Sequence, residues 1–232
     1  MGTTTGQDLF DRAQIILGDN ATRWTGAEGL LWINDGQRES VVHLPSACTK
    51  TAVLTMAQGT RQSLVGLADA VQLQDVPRNM GSDGTTPGRA ITVKPRAWID
   101  EQRPGWHGDA AGEAIHAFFS ADDPKTFYRW PPANAGAKVE IVYAALPQAL
   151  TNLASTIGLD DIYANSLAYY LLFRSFSKNR NAQAALANAS GYYQLFLQSL
   201  GVKGARSMAL DINRQMLSDG AGVAGPKTGA PA

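Results

Sequence analysis

Leu9, Ala13, Ile16 and Leu17 recur at the spacing of one helical face, and Gly18-Asp19-Asn20 ends the run. This predicts a short amphipathic helix over residues 7 to 17. Thr25 and Glu28 have capping-box spacing, in which each side chain satisfies a backbone N–H at a helix start. Leu30, Leu31, Asn34, Arg38 and Val41 carry this second helix to Pro45. From residue 49 the pattern shortens to β-branched and aromatic runs separated by Gly, Pro and Asp: 51–56, 71–76, 90–94, 115–119, 126–130 and 139–144. These are expected strands. Val139, Ile141 and Tyr143 alternate as a half-buried strand requires, and Pro131-Pro132 is expected to stop the strand before it. Residues 80 to 88 read as an exposed loop.

Helical spacing returns after Pro147. Asp160 and Asp161 favour a helix start, and residues 162 to 176 are apolar on nearly every face, predicting a largely buried helix. Ala185, Ala189, Tyr192, Tyr193, Phe196 and Leu200 form one stripe of a further helix, which Gly201 is expected to end. The two helices should pair as a hairpin. Gly201 and Gly204 then read as a hinge before a short helix striped by Met208, Ile212 and Met216. Ten of the thirteen residues from 220 to 232 are Gly, Ala or Pro, a composition that predicts a flexible end. The fold class is α+β. Residues 1–48 supply the first helices of a bundle, 49–150 a strand-rich insertion, 151–201 the helical hairpin that completes the bundle, and 202–232 a C-terminal arm.

Composition narrows the function classes. The 232 residues are 44% hydrophobic, with Lys+Arg 20 against Asp+Glu 20, an ordinary globular balance that argues against a globally basic nucleic-acid binder. Residues 1–161 carry 13 basic and 18 acidic side chains, whereas residues 162–232 carry 7 and 2, so a basic end follows an acidic body. That end is either a helical region whose few charges happen to be cationic or a face for an acidic partner. The lone Cys48 forms neither an intramolecular disulfide nor a cysteine zinc site. No secretory leader, myristoylation signal or membrane-length apolar run is expected, and the sequons at Asn20 and Asn188 read as chance matches.

Candidate chemistry is sparse. Gly81-Ser82-Asp83-Gly84-Thr85-Thr86 lacks the Lys of a phosphate loop and reads as a turn. Cys48 has no sequence-defined base. His43, His107 and His116 lack the spacing that aims two imidazoles at one metal. The acid pairs Asp100-Glu101, Asp122-Asp123 and Asp160-Asp161 lie near turns or helix starts, where carboxylates cap. Trp98, Trp106, Phe127, Tyr128 and Trp130, interleaved with Arg96, Arg103 and Arg129, could stack bases, although strand aromatics more often form core. No catalytic residue, cofactor or metal is expected.

Residues 23–39, including Trp24, Thr25, Glu28 and Asn34, resemble the opening helix of head-to-tail adaptor (connector) proteins of tailed, short-tailed-type bacteriophages. Further signatures follow in order: Gly59-Thr60-Arg61-Gln62, Gly88-Arg89-Ala90-Ile91, Trp98-Ile99-Asp100 leading to Trp106-His107, Asp123-Pro124 with Phe127, Pro131-Pro132, Tyr143 before Pro147, and Asp161-Ile162-Tyr163 to Arg174. The likeness spans about residues 7 to 200 and rests on their ordered co-occurrence. Leu64-Val65-Gly66, in place of the usual Leu-Pro, and the short loop after Asn79-Met80-Gly81 depart from it.

The resemblance implies a structural virion protein of the neck, assembled in the host cytoplasm. It would form a ring of twelve copies that joins the portal protein to a tail nozzle, fibre or spike and continues the channel for double-stranded DNA, without sequence-specific binding and without a membrane. The alternatives are a head-completion or tail-terminator ring, or a cell-envelope hydrolase or carbohydrate-binding module using Asp122, Asp123 or Glu113. The arm is expected to dock on the portal through Lys203, Arg206, Met208, Ile212, Arg214 and Met216, against the simpler expectation that it folds back on its own bundle.

Overall fold

Thr5 and Thr25 each open a helix by the same exchange. In a computed structural model, which describes residues 2–120, 122–178 and 183–210 with side chains as far as Gly201, Thr25 Oγ1 accepts the Glu28 N–H at 3.4 Å and Glu28 Oε2 accepts the Thr25 N–H at 3.1 Å. This is the capping box expected from sequence. Thr5 and Asp8 form a second, unforeseen one at 3.1 and 2.8 Å. Helix α1 spans Gly6–Leu17 and α2 spans Gly26–His43. Gly18, left-handed at φ 61°, closes α1 where sequence placed its end.

The buried face of α1 is rotated from the expected one. Leu9, Phe10 and Ala13 are buried, while Ile16 is 55% exposed. Phe10 turns the helix because it lies against Gly29 of α2, where a Cβ would stand only 2.5 Å from its ring. Gly36, two turns on, admits Tyr170 in the same way, at 2.8 Å. Two missing side chains thus let α2 approach its neighbours closely.

Helix α4, Ala164–Ser177, follows a 3-10 turn at Asp161–Tyr163 and runs against α1, α2 and α5, the last spanning Gln183–Leu210. Leu167, Tyr170, Leu171 and Leu172 of α4 are buried in the bundle core, with the Tyr170 and Phe196 rings edge to face at 5.2 Å. Ala185, Ala189, Phe196 and Leu200 of α5 are buried, with Tyr192 and Tyr193 half-buried, as the expected stripe requires. One expectation fails here. α5 does not end at Gly201, and no hinge divides it at Gly204: the helix continues to Leu210. A helical glycine costs only about 1 kcal/mol relative to alanine, too little to stop a helix unless a left-handed turn is also required. Met208 therefore lies on α5 itself, and residues 211–232, with Ile212, Arg214, Met216 and the expected flexible end, lie outside the described residues.

Between α2 and α4 the chain builds two four-stranded sheets. β1 Thr49–Thr55, β8 Lys138–Ala145, β3 Ala70–Met80 and β4 Pro87–Ala90 form the first in that order, all antiparallel. β2 Gly59–Ser63, β7 Thr126–Ala133, β6 His116–Phe119 and β5 Thr92–Val93 form the second, with β5 parallel to β6 and the short helix α3, Arg96–Gln102, on the crossover. Leu73, Val76, Ile141 and Tyr143 of the first sheet share one core with Ala117 and Phe127 of the second, so the sheets face each other as a sandwich. The alternation along β8 divides its faces: Tyr143 enters this core and Ala144 the bundle core.

Three strand expectations need correction. β3 runs on to Met80 and pairs with β4, so part of the expected loop is a hairpin; its register shifts three times against β8, replacing the two-residue burial period with one of three. Pro131 and Pro132 do not end β7. They fall in the irregular stretch between the Gly59–Ala133 and Arg61–Tyr128 pairs and beyond the last β6 partner, Trp130, where no ladder N–H is required of them. β2 and α3 were not foreseen.

Gly36→Ala should destabilise by about 1 to 3 kcal/mol because the new methyl meets the Tyr170 ring. Gly201→Ala should be neutral or stabilise by up to about 1 kcal/mol if its helix is continuous. Urea unfolding of both variants checks the pair; a stability loss at Gly201 would restore the hinge.

Candidate functional site

The residues singled out by sequence assemble into two sets, one in the bundle and one in the sandwich. In the bundle, Trp24 is 8% exposed and its indole N–H donates to the Ser175 carbonyl in the last turn of α4 at 2.9 Å. The Arg23 guanidinium lies 5.1 Å above its ring. Lys178, just past α4, donates to both oxygens of Glu28 at 2.7 and 2.9 Å and to the Arg23 carbonyl at 2.8 Å. Lys178 first, and then the Thr25 N–H, hold the Glu28 carboxyl below its usual range. Arg174 reaches Asp35 at 3.9 Å. Trp24, Thr25, Glu28 and Arg174 therefore perform one task, tying α2 and its entry to the C-terminal half of α4.

Asn34 performs a second task. Its side-chain amide donates to the Leu150 carbonyl at 3.0 Å and accepts the Leu150 N–H at 2.8 Å. Gln37, one turn on, accepts the Gly158 N–H at 2.6 Å. The Asp161 carboxylate accepts the N–H groups of Thr3 and Thr4 at the N-terminus, at 2.7 and 2.8 Å, and these bonds hold its carboxyl well below the usual range. Tyr163 is buried in the bundle core, where desolvation pushes its phenol up.

In the sandwich, Trp106 is fully buried, stacked on His107 at 3.8 Å, and donates to Asp100 at 2.9 Å. Trp130 donates in parallel to Asp109 at 2.7 Å. Arg96 pairs with Asp100 and sits 5.8 Å from the Tyr128 ring; Arg103 pairs with Asp109 and sits 5.8 Å from the Trp130 ring. The aromatic and arginine interleaving that could have stacked bases is thus engaged within the fold, with Arg96 and Arg103 each lying near a ring and holding a carboxylate, and Arg129 buried against the Gly112 carbonyl. The Pro124 carbonyl accepts the Leu73 N–H at 2.8 Å, joining the two sheets, and that of Asp123 accepts the Thr126 N–H at 3.2 Å, closing the turn that leads into β7. The Arg89 backbone meets Glu113 through its N–H and Asn79 through its carbonyl, while its side chain is exposed.

Sequence reasoning missed Gln37 and, as a structural centre, Asn79. The latter is 5% exposed and forms both an N–H and a carbonyl bond with Ala114, at 2.9 and 2.8 Å, besides the bond to Arg89. Glu113, Asp122 and Asp123 are exposed. Cys48 is half-buried, and burial pushes its thiol up, away from a reactive thiolate. Among the described residues no group of three His, Cys, Asp or Glu side chains is placed to hold a metal ion, and no helix is long and apolar enough to cross a membrane. The side chains of Lys203, Arg206 and Met208 lie outside what the structure describes.

A helical bundle carrying a β-sandwich, with its marked side chains holding elements to one another, defines an α+β protein whose signature is architectural. The chain belongs to the SU10 adaptor protein family, which matches residues 4–217. The likeness to phage head-to-tail adaptors therefore extends beyond residue 200, where sequence motifs placed its end, and takes in Lys203, Arg206, Met208, Ile212, Arg214 and Met216. No curated protein matches the chain.

Glu28 gives a pH test. Its carboxyl is depressed in the folded state, so its contribution is full above the unfolded value of about 4.3 and fades as pH falls through the lower folded value. The stability difference between wild type and Glu28→Gln should be constant from pH 7 to about 5 and shrink below that. Urea midpoints across this range measure it; a difference that grows with acid would contradict the assignment.

Proposed function

We propose that this adaptor assembles as a closed ring beneath the portal, receives the tail on its other side and continues the channel for double-stranded DNA. The observation that carries the reading is the family match over residues 4–217. The architecture is compatible with it: the helical bundle and the sandwich offer unlike surfaces to two different neighbours. Heterologous contacts between identical copies close into a ring when the rotation between them is fixed. Twelve copies, assembly in the host cytoplasm, and tail nozzle, fibre or spike proteins as partners belong to the same reading, as does a purely structural role without a catalytic step. Neutral overall charge suits a lumen through which DNA passes, because each cation bound to phosphate adds a salt-dependent hold.

The end of α5 and the residues after it are the portal-docking part of this proposal. Lys203, Arg206 and Arg214 would meet acidic portal side chains, while Met208, Ile212 and Met216 would supply adaptable apolar contact. Because α5 is helical as far as Leu210, docking would extend an existing helix and would not need a separate one to nucleate.

Native mass spectrometry of the protein mixed with its portal should show many copies per portal; one copy or none would end the ring reading. Deleting residues 205–232 should leave thermal stability nearly unchanged and abolish portal binding. A large loss of stability with binding retained would show that the segment packs on its own subunit.

A further inference from the structure

A sheet edge carries a row of backbone N–H and C=O groups, and folded proteins guard it with proline, a bulge, an unpaired charge, short length or a covering segment. Three of the four edges here are guarded. Pro87 of β4 has no N–H to offer, and Arg89 has both backbone groups engaged, its N–H by Glu113 at 3.2 Å and its carbonyl by the Asn79 amide at 2.9 Å. β2 has an irregular register against β7 and carries the exposed Arg61, while β5 is two residues long. β1, Thr49–Thr55, has none of these guards. It pairs with β8 without a bulge over all seven residues, contains no proline, and its one charge, Lys50, is tied to Asp69 at 2.7 Å.

The register of β1 fixes which of its groups face outward. Antiparallel pairs alternate between those that exchange both backbone bonds and those that exchange none. Just before β1 the Cys48 carbonyl accepts the Ala145 N–H at 2.8 Å, and just after it the Met56 N–H donates to the Ala137 carbonyl at 2.7 Å. Both pairs continue the β1–β8 register, so the bonded positions between them are Lys50, Ala52 and Leu54. Thr49, Thr51, Val53 and Thr55 therefore aim their N–H and C=O groups away from β8, where no further strand lies, and among the described residues those groups have no hydrogen-bond partner. Their side chains are exposed on the outer face of the sheet, while Ala52 and Leu54 pack against the sandwich core.

We infer that β1 is a docking edge for a second copy of this chain, whose own β1 adds antiparallel about a two-fold axis at Ala52. In that register Thr49 faces the partner's Thr55 and Thr51 faces the partner's Val53. All four are positions whose bonding groups point outward, so each pair exchanges both of its bonds; a slip of one residue sets outward groups against inward ones. Lys50 faces the partner's Leu54 and the small Ala52 meets its own counterpart, so no like charges are opposed. A formal net charge of zero adds no long-range repulsion between copies. Strand addition of this kind turns two separate sheets into one that crosses the dimer. A two-fold contact is complete after two copies, so it is separate from the heterologous contacts of the proposed ring and does not depend on them.

The test is sedimentation of the full-length chain alone over a concentration series, where a reversible equilibrium between monomer and dimer is expected. Val53→Pro removes an outward N–H that the β8 ladder does not use. It should weaken self-association by about tenfold or more, with circular dichroism and melting temperature close to wild type. Charge reversal at the exposed outer positions tests the register. Thr51→Lys with Val53→Lys opposes lysines across the axis, and Thr51→Glu with Val53→Glu opposes glutamates. Each folded double variant should be monomeric alone, and an equimolar mixture should dimerise because every lysine then faces a glutamate. These variants decide the matter if Val53→Pro does not fold. A wild-type chain that stays monomeric throughout, as it would if this edge served a different protein, overturns the inference. So does a dimer that both double variants retain, or a mixture of folded variants that fails to pair. With no portal present, none of these outcomes bears on the ring.

Discussion

Residues 146 to 160 connect the last strand of the sandwich to the first turn before α4 with no helix or strand of their own, and their backbone must nevertheless be paired. The bundle supplies those partners. Asn34 offers Leu150 both a donor and an acceptor, as a neighbouring strand would, and Gln37 accepts from Gly158. The N-terminal segment pairs with the other side: Gly6 and Gln7 donate to the carbonyls of Ser155 and Leu153, and Ile157 donates to that of Thr4. The connection is thus held between the start of α1 and the middle of α2. An amide side chain gives and accepts through two separate atoms side by side, as a backbone does, which gives a physical reason for Asn34 within the adaptor-like motif.

The start of α2 was legible because its cap is local, three residues from Thr25 to Glu28, and the end of α1 because Gly18 stops it; the equally local Thr5–Asp8 cap of α1 went unread. The stripe of α5 was legible because Ala185, Ala189, Phe196 and Leu200 keep helical spacing on one buried side. Where tertiary contact changed the rule, sequence reading failed. The bulges of β3 convert alternation into a period of three, and Pro131-Pro132 is tolerated only because of the strands it does and does not face. Gly201 reads as a stop in isolation, yet α5 runs through it.

The functional residues show the same division. Trp24, Glu28, Asn34, Asp100 and Trp106 were singled out from sequence as positions, but not their partners, which are Ser175, Lys178, Leu150 and, within a shorter loop, one another. Asn79 and Gln37 were missed because their partners, Ala114 and Gly158, lie 35 and 121 residues away. No local pattern announces a buried amide. The charge imbalance between the two parts of the chain also changes meaning in three dimensions, since Arg174 and Lys178 pair with Asp35 and Glu28 across the bundle. Part of the apparent basic face is therefore internal complementarity.

Partly exposed ion pairs of this kind contribute at most about 1 kcal/mol each, so they cannot be the main source of bundle stability. Their geometry still matters. The apolar contacts of Leu167, Tyr170 and Phe196 are non-directional, whereas the Trp24 to Ser175 bond and the Glu28 to Lys178 pair admit one register of α2 against α4. Asn34 and Gln37, on the same α2, then transmit that register to the connection leaving the sandwich. For the proposed ring this coupling is a requirement: if the contacting surfaces are shared between bundle and sandwich, a loose junction would spread the rotation between copies, and heterologous contacts with a variable rotation do not close. The amide clamps in the subunit interior would then bear on ring closure as directly as the surfaces that touch.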